Sequence, residues 1–143
     1  MDTRIVEAAR RWMGTPYVHQ ASVKGVGCDC LGLLRGVWRE VYGREPETVP
    51  AYTPDWSEPQ GTELLYAAAL RHMTMVTDPV LRSGQVILFR MRADAVAKHI
   101  GIVSFGDPNP AFIHAYTGHG VVESPLSAPW RRRIAARFEI IKG

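Results

Sequence analysis

One cysteine and two histidines sit where nucleophilic chemistry is possible. Cys30 follows Asp29, a residue type that caps helices, and precedes Leu31, Leu34, Trp38 and Val41, which recur at three- and four-residue intervals until Gly43. This pattern predicts a helix whose first turn holds Cys30. Unpaired backbone N–H groups and the helix dipole favour negative charge there, so a thiolate is expected to be stabilised. The same N–H groups suit the oxyanion formed when a thiolate attacks a carbonyl carbon. The base must come from elsewhere in the chain. His99 opens the apolar run HIGIV, where a side chain can face a helix packed on a sheet. His114, in FIHAY, reaches His99 if the two strands are neighbours. Cys30, His99 and His114 then read as nucleophile, general base and orienting group.

These residues need elements to hold them. Residues 2–13 carry Ile5, Ala8, Ala9 and Trp12 at helical spacing after Asp2, a candidate cap, and Gly14 with Pro16 ends the pattern. Residues 14–28 hold three glycines and a proline without periodicity and read as an extended loop. A proline-rich connector over 44–59 leads to a third predicted helix over 60–72, with Leu64, Leu65, Ala68 and Leu70 as its apolar surface. From Gln85 onward the texture changes to the β-rich runs QVILFR, HIGIVSF, AFIHAY, GVVES and ARFEII, broken by Gly, Pro, Asn and Asp. Helices followed by strands predict an α+β domain with a mainly antiparallel sheet.

At 143 residues the chain fits one domain, residues 1–143, and its 46% apolar and 22% charged composition is that of a globular protein with a packed core. The N-terminal stretch has no uninterrupted apolar segment, so neither a secretory signal nor a membrane span is expected, and synthesis in the cytoplasm is. Two cysteines, Cys28 and Cys30, do not make a disulfide framework and are read as reduced thiols. The net charge of +3 includes the run Arg131, Arg132 and Arg133, read as a solvated basic edge; no aromatic interleaving or zinc-finger pattern points to nucleic acid. His19, His72 and His119 are assigned to surface or loop positions.

Several motifs, taken in order, resemble the NlpC family of cell-wall cysteine peptidases over about residues 5–124. A helix followed by G-x-P-Y is matched by Gly14, Thr15, Pro16 and Tyr17, and D-C-x-G-L by Asp29, Cys30, Leu31, Gly32 and Leu33. A glycine turn before an apolar strand is matched by Ser83, Gly84, Gln85 and Val86, H-x-G-I by His99, Ile100, Gly101 and Ile102, and I-H-A by Ile113, His114 and Ala115. The resemblance implies a papain-like fold and hydrolysis of amide bonds in peptidoglycan stem peptides, commonly that between γ-D-glutamyl and a diamino acid. By this similarity Cys30 is the nucleophile, His99 the base, His114 the orienting residue and Tyr17 a hydroxyl donor beside the oxyanion, with no cofactor and no metal. Leu31 stands where serine is frequent in bacterial members. With the single-domain length and the lack of a signal peptide, it is more like the phage-borne branch, including tail-associated and gene-transfer-agent peptidases. A phage-like particle would then carry the protein to the periplasm or cell wall.

Three other readings compete. Cys28, Cys30, His99 and His114 supply four ligands of the type zinc prefers, although one residue between the cysteines and a wide separation of the histidines do not match structural zinc spacing. The same fold without the reaction would make a tail or murein-binding component. An acyl-enzyme released to an amine would make the chain a transferase. Cys28 itself is read as inert; the alternative of a regulatory Cys28–Cys30 bond fits disulfide geometry poorly for such near neighbours.

Overall fold

The computed structural model describes residues 3–47, 63–92 and 95–140. Helices precede strands, as the sequence predicts. The order is α1 (Thr3–Arg11), β1 (Ser22–Val23), β2 (Gly27–Cys28), α2 (Cys30–Tyr42), α3 (Leu64–His72), β3 (Thr74–Met75), β4 (Val86–Arg90), β5 (Ala97–Phe105), β6 (Ala111–Tyr116), β7 (Gly120–Pro125), α4 (Ala128–Arg131) and β8 (Ile134–Glu139). The last six strands form one sheet in the order β3-β8-β4-β5-β6-β7, with every neighbouring pair antiparallel. The fold class is therefore α+β with an antiparallel sheet.

Both predicted N-terminal helices form for the reasons their sequences give. Ile5, Ala8 and Ala9 are the buried stripe of α1, and Trp12, one turn on, is buried with them. Asp2 lies outside the described residues. Helix α2 starts where Asp29 caps it, its side chain accepting from the Gly32 N–H. It stops at Gly43, whose φ of 87° is a left-handed cap and whose N–H donates to Arg39 O. The two helices meet at a small-residue contact: a Cβ on Gly36 would lie 2.0 Å from the Trp12 ring, so glycine lets the indole lie flat on α2. The indole N–H donates to Glu40 one turn further along the same helix.

Elsewhere the structure departs from the sequence expectations. The loop over 14–28 contains the antiparallel β1–β2 pair, Ser22↔Cys28 and Val23↔Gly27, strands too short to leave a pattern. In α3 only Leu65 and Ala69 are buried, while Leu64 and Leu70 are about half exposed, so the inward face is an i, i+4 pair. Residues 60–62 of that predicted helix, and 48–59 of the connector, lie outside the described residues. The basic run, read as a plain edge, begins inside α4, where Arg131 pairs with Asp107.

The sheet is covered on both sides. Val86, Leu88, Ile100, Ile102, Ile113 and Ala115 join the helices in the larger core cluster. Ile87, Phe89, Val103 and Phe112 alternate with them and form a second cluster with Leu126, against which Trp130 of α4 packs. Burial on both faces explains why β4 reads as an unbroken apolar run.

Gly32 is the tightest point. A Cβ there would come within 1.9 Å of the Ala21 carbonyl oxygen, a backbone atom with no freedom to rotate away. Gly32→Ala is expected to destabilise the fold by about 3 kcal/mol or more, beyond ordinary overpacking. Urea unfolding checks this, and an unchanged midpoint would contradict the packing.

Candidate active site

The Asp29 side chain fixes the start of α2. One carboxylate oxygen accepts from the Gly32 N–H at 2.7 Å and the other from the Gln20 N–H, also at 2.7 Å. His19 approaches the same carboxylate, with Nδ1 3.6 Å from Oδ2. This histidine, assigned from sequence to a loop role, thus sits beside the cap of the site helix. The Ser22 hydroxyl donates to Gly32 O at 2.6 Å, binding β1 to the first turn of α2.

Cys30 stands at the first position of α2 and is only 7% exposed. Its thiol lies against the backbone of β5, donating to Lys98 O at 3.6 Å. The N–H groups of Ile100, Leu31 and Cys30 itself favour the ionised sulfur. Burial, followed by the charge of Asp29, outweighs them and pushes the thiol up to about 12. The expectation of a resting thiolate is therefore corrected: helix-end N–H groups are present, but desolvation beside a carboxylate is the stronger effect.

His99 and His114 lie at a fork in the sheet. Strands β5 and β6 pair from Phe105↔Ala111 to Ile102↔Ile113 and no further. Beyond that point His99 remains paired to Phe89 of β4, and His114 to Val122 of β7. A side-chain hydrogen bond spans the gap, His99 Nε2 to His114 Nδ1 at 2.8 Å. His114 Nε2 in turn meets Ser124 Oγ at 3.0 Å. Burial, then the neighbouring His114, brings His99 down to about 3; burial, then His119, brings His114 down to about 4. Both rings are therefore neutral near pH 7, and with Nε2 committed to His114 the nitrogen of His99 left for a second partner is Nδ1. Among the described residues no hydrogen bond joins Cys30 to His99. The two are neighbours through the Lys98 carbonyl and the Ile100 N–H, which flank His99 in sequence.

The His99 ring does not lie among the helix-facing residues, as sequence reasoning placed it. It packs with Phe89 and Trp130 at centroid distances of 5.7 Å each. The reason is strand alternation: Ile100 and Ile102 take the helix-facing side of β5. Trp130 also contacts His114 at 5.3 Å and Phe112 at 5.2 Å, and is a wall residue that sequence reasoning missed. A four-residue helix has no periodicity to announce it. His114 is 1% exposed and lies between the rings of Phe112 and Tyr116, while His119 stacks on Tyr116.

Tyr17 is half-buried and held by backbone on both sides. Its neighbours exchange hydrogen bonds with Cys28, Cys28 N–H to Pro16 O and Val18 N–H to Cys28 O. Just upstream, Gly14 and Thr15 bond Val121 of β7. The Tyr17 hydroxyl is bonded to Thr117. Burial, then the adjacent Cys30, raises its pKa, so the phenol remains a hydrogen-bond donor at neutral pH. Cys28 is fully buried in β2. Burial and then Asp29 push its thiol up to about 12, with no N–H group working the other way. Both cysteines are free thiols. No group of three or more His, Cys, Asp or Glu side chains among the described residues is arranged to hold a metal ion, so Cys28, Cys30, His99 and His114 do not converge as a zinc site would require. Among the same residues no helix is long and apolar enough to cross a membrane.

Comparison with known proteins bears on the fold and the family. The murein DD-endopeptidase MepS/murein LD-carboxypeptidase of Escherichia coli K12 is 31% identical over 132 residues, which is 92% of this chain and 58% of that protein; the O157:H7 protein matches equally. The chain thus spans little more than half the length of these curated relatives. An NlpC/P60 family protein from Bacillus cereus superposes with a TM-score of 0.66 at 20% identity, covering 98% of this chain and 40% of that one. The NlpC/p60 domain of the peptidoglycan hydrolase SagA gives 0.64 at 21% identity, covering 96% and 97%. At these identities the two structures speak for the fold, the papain-like NlpC arrangement expected from the motifs. The sequence profile of the NlpC/P60 family matches residues 14–138, a span that includes the capped start of α2 and both histidines of the sheet fork, and the chain belongs to that family.

Proposed function

We propose that this chain is a cysteine peptidase that hydrolyses amide bonds in the stem peptides of peptidoglycan, with Cys30 as nucleophile, His99 as general base, His114 as its orienting partner and Tyr17 beside the oxyanion. The observation that carries the reading is the 2.8 Å His99–His114 hydrogen bond at the sheet fork, next to a thiol on which three backbone N–H groups bear. Cys28 has no such surroundings. The MepS relative carries murein-cleaving activities in its name, which supports the same substrate class here.

In the reaction this predicts, the Cys30 proton passes to His99 Nδ1 as the sulfur forms a bond to the carbonyl carbon. The resulting oxyanion is met by the Cys30 N–H and the Tyr17 hydroxyl. On collapse the C–N bond breaks and His99 returns the proton to the leaving amine. Water then adds to the thioester with His99 again as base, which releases the carboxylic acid and restores the thiol. Because thiol and imidazole are both neutral at rest, the ion pair exists only as the sulfur attacks. This suits a closed site: neither charge has to be kept desolvated between turnovers.

Leu31, where serine is frequent in bacterial members, supports the finer assignment to the particle-borne branch, with a phage-like tail or gene-transfer particle carrying the enzyme to the wall. Sedimented particles from producing cells should contain the chain; its absence from them would remove that part of the proposal.

Digestion of purified peptidoglycan, with products identified by mass, tests the core of the reading. Wild type and Cys28→Ala should release stem-peptide fragments at rates within about threefold of each other. Cys30→Ala should lose at least ~10³-fold, the scale for removing a covalent nucleophile. An active Cys30→Ala enzyme would overturn the assignment.

A further inference from the structure

We propose that Ser124 is a positioning residue that holds His114 in its Nε2–H tautomer, and through it keeps His99 able to accept a proton at Nδ1. The inference rests on the proposed roles of Cys30 and His99. It concerns a residue that those roles do not include.

Two links define the chain of groups: His99 Nε2 to His114 Nδ1 at 2.8 Å, and His114 Nε2 to Ser124 Oγ at 3.0 Å. In each link one atom carries the hydrogen and the other accepts it, and a neutral imidazole carries a single N–H. Only two arrangements of neutral rings satisfy both links. In one, His99 Nε2–H donates to His114 Nδ1, and His114 Nε2–H donates to Ser124 Oγ; His99 Nδ1 then holds a lone pair. In the other, the Ser124 hydroxyl donates to His114 Nε2, and His114 Nδ1–H donates to His99 Nε2. His99 Nδ1 then already carries a hydrogen and cannot take one from Cys30. The first arrangement works and the second does not. The direction of the serine hydroxyl decides between them.

The surroundings of Ser124 favour acceptance. It lies on β7 opposite Phe112, so the β6–β7 ladder fixes its distance from His114, two residues further along β6. It is half-buried and lines a cavity of about 470 Å³ with Phe105, Pro110 and Leu126. Its O–H can therefore turn to water while its lone pair faces the buried imidazole. His114 has no such freedom, being 1% exposed and held between Phe112 and Tyr116. When His99 becomes charged during attack, the first arrangement also needs no rearrangement: every donor already points away from the new charge.

The tautomer is readable without substrate. In ¹⁵N-histidine-labelled protein, long-range proton–nitrogen correlations assign each ring. The expected result is His114 as Nε2–H in wild type, a substantial Nδ1–H population in Ser124→Ala, and return to Nε2–H in Ser124→Thr, which keeps the hydroxyl. In parallel, kcat on peptidoglycan fragments should fall on the order of tenfold in Ser124→Ala with KM within about twofold, and recover in Ser124→Thr. An unchanged His114 tautomer in Ser124→Ala overturns the proposal even if kcat falls, since that pattern is one of structural damage. A shifted tautomer with unchanged kcat overturns it as well. If wild type cleaves nothing, the peptidase reading fails, and the labelled rings still decide the role of Ser124.

Discussion

The Asp29 carboxylate is the constraint on which the rest of the site depends. Its two oxygens bind one N–H inside α2 and one in the preceding loop, so a single buried side chain sets both where the helix begins and how the loop enters it. Each bond from a charged acceptor contributes about 1.5–3 kcal/mol. Gly32 is held to glycine by the same geometry, because the loop carrying Ala21 presses on the first turn. Cys30 is thereby seated one residue past the cap with its sulfur on the backbone of β5.

That seat has an electrostatic consequence. Burial opposes ionisation of the Cys30 thiol, and the carboxylate that builds the helix end acts in the same direction. On the histidine side, burial disfavours the imidazolium. Both partners are thus neutral at rest. The backbone N–H groups around the sulfur and the chain of ring nitrogens behind His99 lower the cost of separating charge only when a carbonyl carbon arrives to take the sulfur electrons. Trp130, Phe89 and Phe112 keep water from the rings, and the fork between β5 and β6 keeps them together.

How much of this was legible in the sequence depended on whether a local pattern existed to read. Helix α2 was fully legible because cap, periodicity and terminal glycine all agree, and the motif order separated Cys30 from Cys28. The pairing of His99 with His114 was legible as a possibility, since both lie on apolar strands. The fork that brings their nitrogens together was not, because it depends on where a ladder stops pairing. The side of the sheet that His99 occupies depends on strand alternation, which the unbroken apolar run around it hides. α4 is too short to show a period, so Trp130 gave no signal. The protonation states ran against a reading made from helix-end effects alone, because desolvation is set by what packs around a residue and not by its neighbours in sequence. In α3, Leu64 and Leu70 read as core but face outward, since Leu65 and Ala69 are the buried pair, with Tyr66 edge-on to Phe138 of β8.

The central claim is that Cys30 is the reactive thiol and that it rests protonated beside a neutral His99. Alkylation by iodoacetamide as a function of pH, with the adduct mapped by peptide mass, tests both halves at once. The account predicts an adduct on Cys30 and not on Cys28, formed at a rate still climbing past the ordinary thiol value of 9.0. A rate already level at about pH 7, the behaviour of a standing thiolate–imidazolium pair, or an adduct on Cys28 in place of Cys30, would contradict it.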